Sequence, residues 1–366
     1  MFGSAAAKYL AATGAQMLII GAAEPQNLQT HEGVFGSHYD EARITRIVDP
    51  DPHWGALAAQ SIAQYPLIEQ RSGIKFHHAV GCLRVAHLDD NGRSAQRDVL
   101  QNGLDQNAVT KVLSGAETAQ QFPYFHFAPH IDAIWERGAA GYINPRQLVK
   151  AQLKIAAQHG AILQRETAQE IIPETNVIKI STREGHIYKA RKVLLAAGAY
   201  TQFLLRRAAD LQVNLVQVIL AEVAEPALEM PSLIYTLKDH PLLEDVYLLP
   251  PVPYPDGKWY LKIGAFSHHL PAVNDENAMR QWFHQEPNNA ETQATEQVLQ
   301  QLMPALNARS FRTVPCLRTN TPQGQPHVKV LLEEDSQGRI AVATGGCGRG
   351  AKSSDAIGKL GAELLL

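Results

Sequence analysis

The stretch MFGSAAAKYLAATGAQMLIIGAAEP, Met1–Pro25, decides how the rest of the chain is read. Small residues, Gly3-Ser4-Ala5-Ala6-Ala7, lead into Lys8-Tyr9-Leu10-Ala11-Ala12 as a helix. Gly14 stops that helix, and Gln16–Ile20 is a short apolar run of strand type. A small-residue helix start, a glycine stop and a buried strand form the second half of a dinucleotide-binding βαβ unit. Gly3 then takes the place of the last glycine in G-x-G-x-x-G, where helix and strand pack closely, with Ser4 beside it. The first strand and first two glycines of the unit precede Met1 in this reading. The expectation is therefore a parallel sheet with a gap at its centre and a reduced pyrophosphate cradle, either a piece of a longer product or a weak cofactor holder. Gly21 stands where an acidic residue would end the second strand, and Glu24 follows three residues on.

Working outward, 366 residues with 45% hydrophobic and 19% charged give a globular chain of two domains with a large core. A net charge of −3 leaves no electrostatic footprint for nucleic acid or an anionic membrane. No apolar run reaches the roughly 18 to 20 residues that span a bilayer, and no leader is read, so the expected place is the cytoplasm. Cys82, Cys316 and Cys347 lie too far apart for a metal site or a disulfide framework. The pairs His77-His78 and His268-His269 would point to opposite faces of a strand, so no metal is expected.

Trp54–Ser72 reads as a helix ending at Gly73, and Val80–Ala86 as a strand running to a turn at Asp90-Asn91-Gly92. Val109–Phe122 reads as a helix, and Asn144-Pro145 opens another to His159. Val177–Lys192 is a hairpin, and Lys192–Ala197 a buried strand ending at Gly198. The end is a strand, Arg339–Thr344, then the turn Gly345–Gly350 and a helix from about Ser353. The expected class is α/β with mixed α+β character: a Rossmann-like domain from residues 1–80, 141–210 and 312–366, with an inserted antiparallel-sheet domain from 81–140 and 211–311.

Several separated segments resemble one family. They are Gly3–Pro25; Gly36-Ser37-His38-Tyr39 with Ala42-Arg43-Ile44-Thr45-Arg46; Gly141–Pro145 through Gly198; Tyr260–Gly264; Cys316; and Gly345–Lys352. Together they resemble the FAD-dependent amine oxidoreductases of the D-amino-acid oxidase type, and within them the monomeric sarcosine oxidase and N-methyltryptophan oxidase group.

The turn GGCGRGAK has a direct physical reading: backbone N–H groups near a helix start attract negative charge, and glycines let a ligand approach the main chain. The resemblance implies that Gly346, Gly348 and Gly350 lie against the flavin. It also implies that Lys352 and Arg46 grip a substrate carboxylate while Arg43 lies near the flavin. Arg43 and Arg46 can face the same way only on a helical turn, since an offset of three on a strand puts them opposite. The bland reading of that pair is a surface helix bridged to Glu41. Lys262, in the apolar strand Trp259–Gly264, is either an edge-strand guard or, by the resemblance, a cation beside the flavin that favours electron transfer to O2. Cys316 aligns with the cysteine that links FAD by a thioether, and Cys347 is the competing site. Gly198 and Ala168 align with flavin- and adenine-contacting residues; Gly3, Ser4, Glu24 and Ser37 complete the cofactor set. Phe266 and Arg318 depart from the sarcosine enzymes, and Arg318 favours a more acidic or more extended substrate.

The implied function is FAD-dependent oxidation of a small amino acid or N-alkyl amino acid, with O2 as acceptor and H2O2 as product, by a monomer or small homo-oligomer. Two readings stand beside it. One is an amino-acid or 2-hydroxy-acid dehydrogenase that passes electrons to a quinone or protein acceptor. The other is a flavin-free binding remnant.

Overall fold

The computed structural model describes residues 1–28, 30–88, 90–204, 210–226, 229–332 and 337–366, with the side chains of 90–94 left out. Its first helix, Phe2–Ala11, packs between the helices Pro145–Gln158 and Ser354–Glu363. The small residues of the opening sequence have their reason there. A Cβ on Gly358 would meet Ala5 Cβ at 2.3 Å and Ala6 N at 2.7 Å, so two helix backbones touch. One buried polar knot joins the three helices. Lys8 Nζ lies 2.7 Å from Asp355 Oδ1, Tyr9 donates to Asp355 Oδ2 at 2.6 Å, and Gln152 donates to Asp355 Oδ1 at 3.1 Å.

The parallel sheet of the opening motif is split as expected. Leu18–Ile20 pairs in parallel with Ile162–Gln164, and Val193–Leu195 pairs in parallel with Ile340–Thr344. His327–Val330 adds an antiparallel edge to the second pair. The two pairs belong to separate sheets, and the strands Leu18–Ile20 and Val193–Leu195 line one common cavity.

An eight-stranded sheet forms the other half of the fold. Its order is Ser310–Asn320, Gln212–Val223, Trp259–Ser267, Leu243–Pro253, Ser232–Thr236, Cys82–His87, Ile131–Glu136 and Thr110–Ser114. Side chains alternate between its faces with period two. One face carries Leu83, Val85, Leu233, Val246, Leu248, Leu261 and Ile263, and packs against Val298 and Leu299 of the helix Ala290–Leu302. The other face presents a cross-strand row, Arg84, Ile234, Tyr247, Gly264, Val218 and Val314. Two residues along the same strands stand Lys262, Phe266 and Cys316. Alternation therefore separates core from site.

Three local expectations are corrected. Val109–Phe122 is a strand, Thr110–Ser114, followed by the short helix Gly115–Gln121. The switch occurs at Ser114, whose hydroxyl and Glu117 form a reciprocal capping box. Residues 90–92 open a helix, Asp90–Asp105, rather than a turn; Val99 and Leu100 pack it onto Val48 and Ile134, and tertiary packing overrides local turn preference. Arg43–Thr45 is a strand, paired antiparallel with Gly141–Ile143, not a helical turn. Among the described residues no helix is long and apolar enough to cross a membrane.

Candidate active site

The split parallel sheet, the glycine turn and the polar face of the large sheet enclose a cavity of about 2780 Å³. Residues 36–52 run along its wall. Because Arg43–Thr45 is extended, Arg43 and Arg46 diverge as the strand geometry requires, each to its own buried carboxylate. Glu41, the alternative partner for this pair, instead takes Arg146 Nη1 at 2.5 Å.

Asp40 organises the first cluster. Its Oδ2 lies 2.6 Å from Lys262 Nζ and 2.9 Å from Arg43 Nε, and its Oδ1 accepts from Tyr254 at 3.0 Å. Lys262 also donates to the carbonyl of Ala42. Burial opposes ionisation of Asp40, but the Lys262 and Arg43 charges outweigh it and hold the carboxyl well below its usual range. Burial likewise pulls Lys262 down to about 8 against the opposing pull of Asp40. Asp40, Arg43 and Tyr254 line the cavity, and Lys262, 1% exposed, stands behind Asp40 rather than in the wall. The lysine is thus no edge-strand guard, since its strand is paired on both sides.

Asp49 organises the second cluster and is fully buried. Its Oδ2 lies 2.9 Å from both Arg46 Nη1 and Lys352 Nζ, and its Oδ1 3.3 Å from Arg349 Nε. Lys352 also donates to the Arg46 carbonyl at 3.3 Å. The turn between Arg46 and Asp49 is fixed by Glu136, whose carboxylate accepts the amides of Ile47 and Val48, both at 2.8 Å. Burial works against charge on Asp49, yet Lys352, Arg46 and Arg349 hold it well below the carboxylate range. Lys352, in turn, is lowered to about 8 by burial, with Asp49 resisting. The three cations line the cavity; Asp49 backs them.

The glycine turn closes the same space. Cys347 (φ 47°) and Gly348 (φ 73°) adopt left-handed conformations, and a Cβ on Gly350 would sit 2.9 Å from Gly346 Cα. Cys316 is half-buried on the cavity wall with its Sγ 3.8 Å from Arg43 Nη2, whereas Cys347 is buried against Thr321 and the Gly345 carbonyl. Gly3 packs just past the end of the strand Val193–Leu195, its would-be Cβ 3.2 Å from Ala196 Cβ. Glu24, Ser37, Ala168 and Gly198 all line the cavity, Glu24 bridged to Arg146 Nε at 2.7 Å. Ser4 does not. Its hydroxyl turns into the helix packing, 2.8 Å from both the Met1 carbonyl and Gln152 Oε1.

These walls fit a flavin dinucleotide. The volume exceeds the roughly 300–1,000 Å³ of an ordinary ligand pocket. The turn of positive-φ residues brings bare backbone to the cavity, and the buried Nε atoms of Arg46, Arg84 and Arg318 have no hydrogen-bond partner within the protein. Among the described residues no cluster suited to a metal ion occurs.

Sequence reasoning missed Asp40, Asp49, Tyr247, Arg84 and Arg349. A cation pair in an otherwise buried segment requires counter-charge, and Asp40 and Asp49 lie three residues outside Arg43 and Arg46, so charge balance was the available signal. Gly264 was the signal for Tyr247: an isolated glycine inside a strand marks close approach, and a Cβ there would meet the Tyr247 hydroxyl at 2.3 Å. Arg318 stacks 5.2 Å from the Phe266 ring centroid, against Gly348.

Monomeric sarcosine oxidase of Streptomyces avermitilis is 24% identical over 377 residues, covering 100% of this chain and 91% of the relative. NikD, described as an unusual amino acid oxidase essential for nikkomycin biosynthesis, superposes with a TM-score of 0.79 at 18% identity, over 100% of this chain and 91% of that one. Iminodiacetate oxidase from Chelativorans sp. BNC1 gives a TM-score of 0.75 at 20% identity, over 100% and 92%. The pattern of one family, FAD dependent oxidoreductase, runs over residues 1–364, and this chain belongs to that family of flavoenzymes.

Proposed function

We propose that this protein oxidises the C–N bond of a small amino acid or N-alkyl amino acid, with O2 as the electron acceptor and hydrogen peroxide as a product. The observation that carries the reading is the pair of cation clusters on one cavity: Arg46, Arg349 and Lys352 on Asp49, and Arg43 and Lys262 on Asp40. Relatives named for oxidation of sarcosine, glycine and iminodiacetate support the substrate class.

FAD, when bound, supplies the two-electron acceptor. Arg46 and Lys352 hold the substrate carboxylate, and the carboxylate fixes which face of the amine-bearing carbon is presented. Asp49 keeps these cations in place from behind, so their heads need no reorganisation when the anion arrives. Lys262 keeps a buried positive charge beside the cavity, and that charge favours negative charge developing on O2. Arg43 and Asp40 set the position of that ammonium. Gly346, Gly348 and Gly350, which line the cavity, would let the cofactor approach the main chain, Cys316 would offer the sulfur for covalent attachment, and Gly3, Glu24, Ser37, Ala168 and Gly198 would hold the rest of it. Residues 1–80, 141–210 and 312–366 act as the cofactor domain, and 81–140 with 211–311 as the substrate domain. A reducing cytoplasm suits the three free cysteines.

The test is an absorption spectrum before and after acid precipitation, followed by oxygen uptake on a panel of amino and N-methyl amino acids. Yellow colour in the pellet, moved to the supernatant by Cys316→Ser, is the expected outcome, with substrate-dependent peroxide. Bleaching by substrate with slow oxygen uptake would assign a quinone or protein acceptor instead, and a colourless protein that takes up no added FAD would overturn the reading.

A further inference from the structure

Arg84 has no role in the function proposed above. It sits on the strand Cys82–His87, opposite Ile234 and in the cross-strand row that continues through Tyr247 to Gly264, on the cavity face of the large sheet. Its neighbours on that strand, Leu83 and Val85, are fully buried in the core on the opposite face. An arginine in such a strand is costly to desolvate unless its guanidinium is bound. Arg84 lines the cavity, yet its Nε is buried without a hydrogen-bond partner, and among the described residues no carboxylate forms an ion pair with it. Asp245 is the acidic group whose charge acts on it most, from across the intervening strand. Arg46, the next cation of the cavity, lies near enough to act on Arg84 by repulsion. Two guanidiniums thus line one cavity, that of Arg46 paired with Asp49 and that of Arg84 with no acid in an ion pair among the described residues. Two like charges in a half-buried wall are stabilised by anions that enter the space before them.

We propose that Arg84 is a specificity-determining residue that binds a second acidic group of the substrate, so that the preferred substrate is an amino acid or N-substituted amino acid bearing two carboxylates. This deepens the function proposed above and rests on it for the identity of the reaction, though not for the binding. One carboxylate takes Arg46 and Lys352; the other takes Arg84, whose planar fork can bind it bidentately. An aminomonocarboxylate fills the first position and leaves Arg84 facing water.

The test uses inert ligands on the FAD-loaded protein, so it does not depend on turnover. Isothermal titration at fixed ionic strength compares glutarate with butyrate for the wild type, Arg84→Leu and Arg84→Lys. Glutarate is expected to bind the wild type about 10- to 100-fold more tightly than butyrate, the range for a charge-assisted contact. Arg84→Leu is expected to bring that ratio near one while leaving butyrate within about twofold, and Arg84→Lys to fall between, since an ammonium keeps the charge but not the fork. A wild-type ratio near one, or an unchanged ratio in Arg84→Leu, overturns the proposal. If Arg84→Leu does not fold, the Arg84→Lys ratio decides: a value equal to the wild type overturns it. A dicarboxylate preference with no amine oxidised would sink the oxidase reading and leave this one standing; oxidation of amino acids with no such preference would do the reverse.

Discussion

Asp40 and Asp49 lie nine positions apart on one segment, and each joins a neighbouring arginine to a lysine from a distant part of the chain, but the two clusters are balanced differently. Asp40 serves Lys262 and Arg43, accepts a hydrogen bond from Tyr254, and shares Lys262 with the Ala42 carbonyl. Arg43 is a quarter exposed and keeps some solvation. Asp49 serves three cations, Arg46, Lys352 and Arg349, with the Arg46 carbonyl as a further acceptor for Lys352, and two of the three cannot shed their protons. The first cluster is closed upon itself and holds its lysine behind the wall. The second carries the larger excess of positive charge, three cations on one acid against two on one, and turns it toward the cavity. One motif, a buried acid under paired cations, thus makes a fixed charge at one end of the segment and an anion receptor at the other.

The strongest way to break this contrast is to remove the acids. Asp49→Ala leaves three cations packed without counter-charge, and breaking a buried pair in this way costs about 3–5 kcal/mol. Chemical denaturation should show a loss of that size. Asp40→Ala should cost less, because Lys262 can deprotonate and Arg43 can turn to water; equal losses would mean that the two clusters are not differently balanced.

Next in size is the division of labour between the lysines. Lys262→Met should slow reoxidation of reduced enzyme by O2 by about 10²- to 10³-fold, the magnitude of removing one preorganised electrostatic contact. The rate of reduction by substrate should change far less. Lys352→Met should act on the other half: weaker binding of substrate or of an inert carboxylate by about 1.5–3 kcal/mol, roughly 10- to 150-fold, with reoxidation little altered. Rapid-mixing kinetics read both halves separately. A Lys262→Met enzyme with normal oxygen reactivity would point to the alternative acceptor.

How far the contrast was legible in the sequence depends on the scale of the feature. The opening helix and strand, the glycine turn and the cations Arg43, Arg46, Lys262 and Lys352 were readable, because local patterns and short motifs record them. Gly73 as a helix stop (φ 67°) was likewise local. What escaped was whatever depends on pairing between distant segments. The strand Arg43–Thr45 is too short to show a period, and only its partner Gly141–Ile143 fixes it as extended. That one pairing decides that the two arginines part company. Ser4 was misplaced for a similar reason: a hydroxyl beside a cofactor-type glycine looks available until Gln152, 148 residues away, takes it. Arg84 was unremarkable in a row of apolar residues until strand register put it on the site face.

The smallest expected effect sharpens the comparison without altering a residue. Lys262 and Lys352 are both drawn down to about 8, so each loses its proton in the same mildly alkaline range. The sign is the same for both: below about pH 8 the ammonium form carries charge, and above it the neutral amine does not. The consequences differ because the two charges serve different steps. As pH rises through 8, loss of the Lys352 charge should raise KM for a carboxylate substrate, while loss of the Lys262 charge should lower the rate with O2. Arg46 and Arg349 remain charged throughout, so anion binding should weaken by a modest factor, less than in Lys352→Met. In the Lys352→Met enzyme the rise in KM above pH 8 should disappear while the fall in oxygen reactivity persists, and Lys262→Met should show the opposite. If both limbs vanish together in either variant, the two clusters titrate as one unit and the separation drawn between them fails.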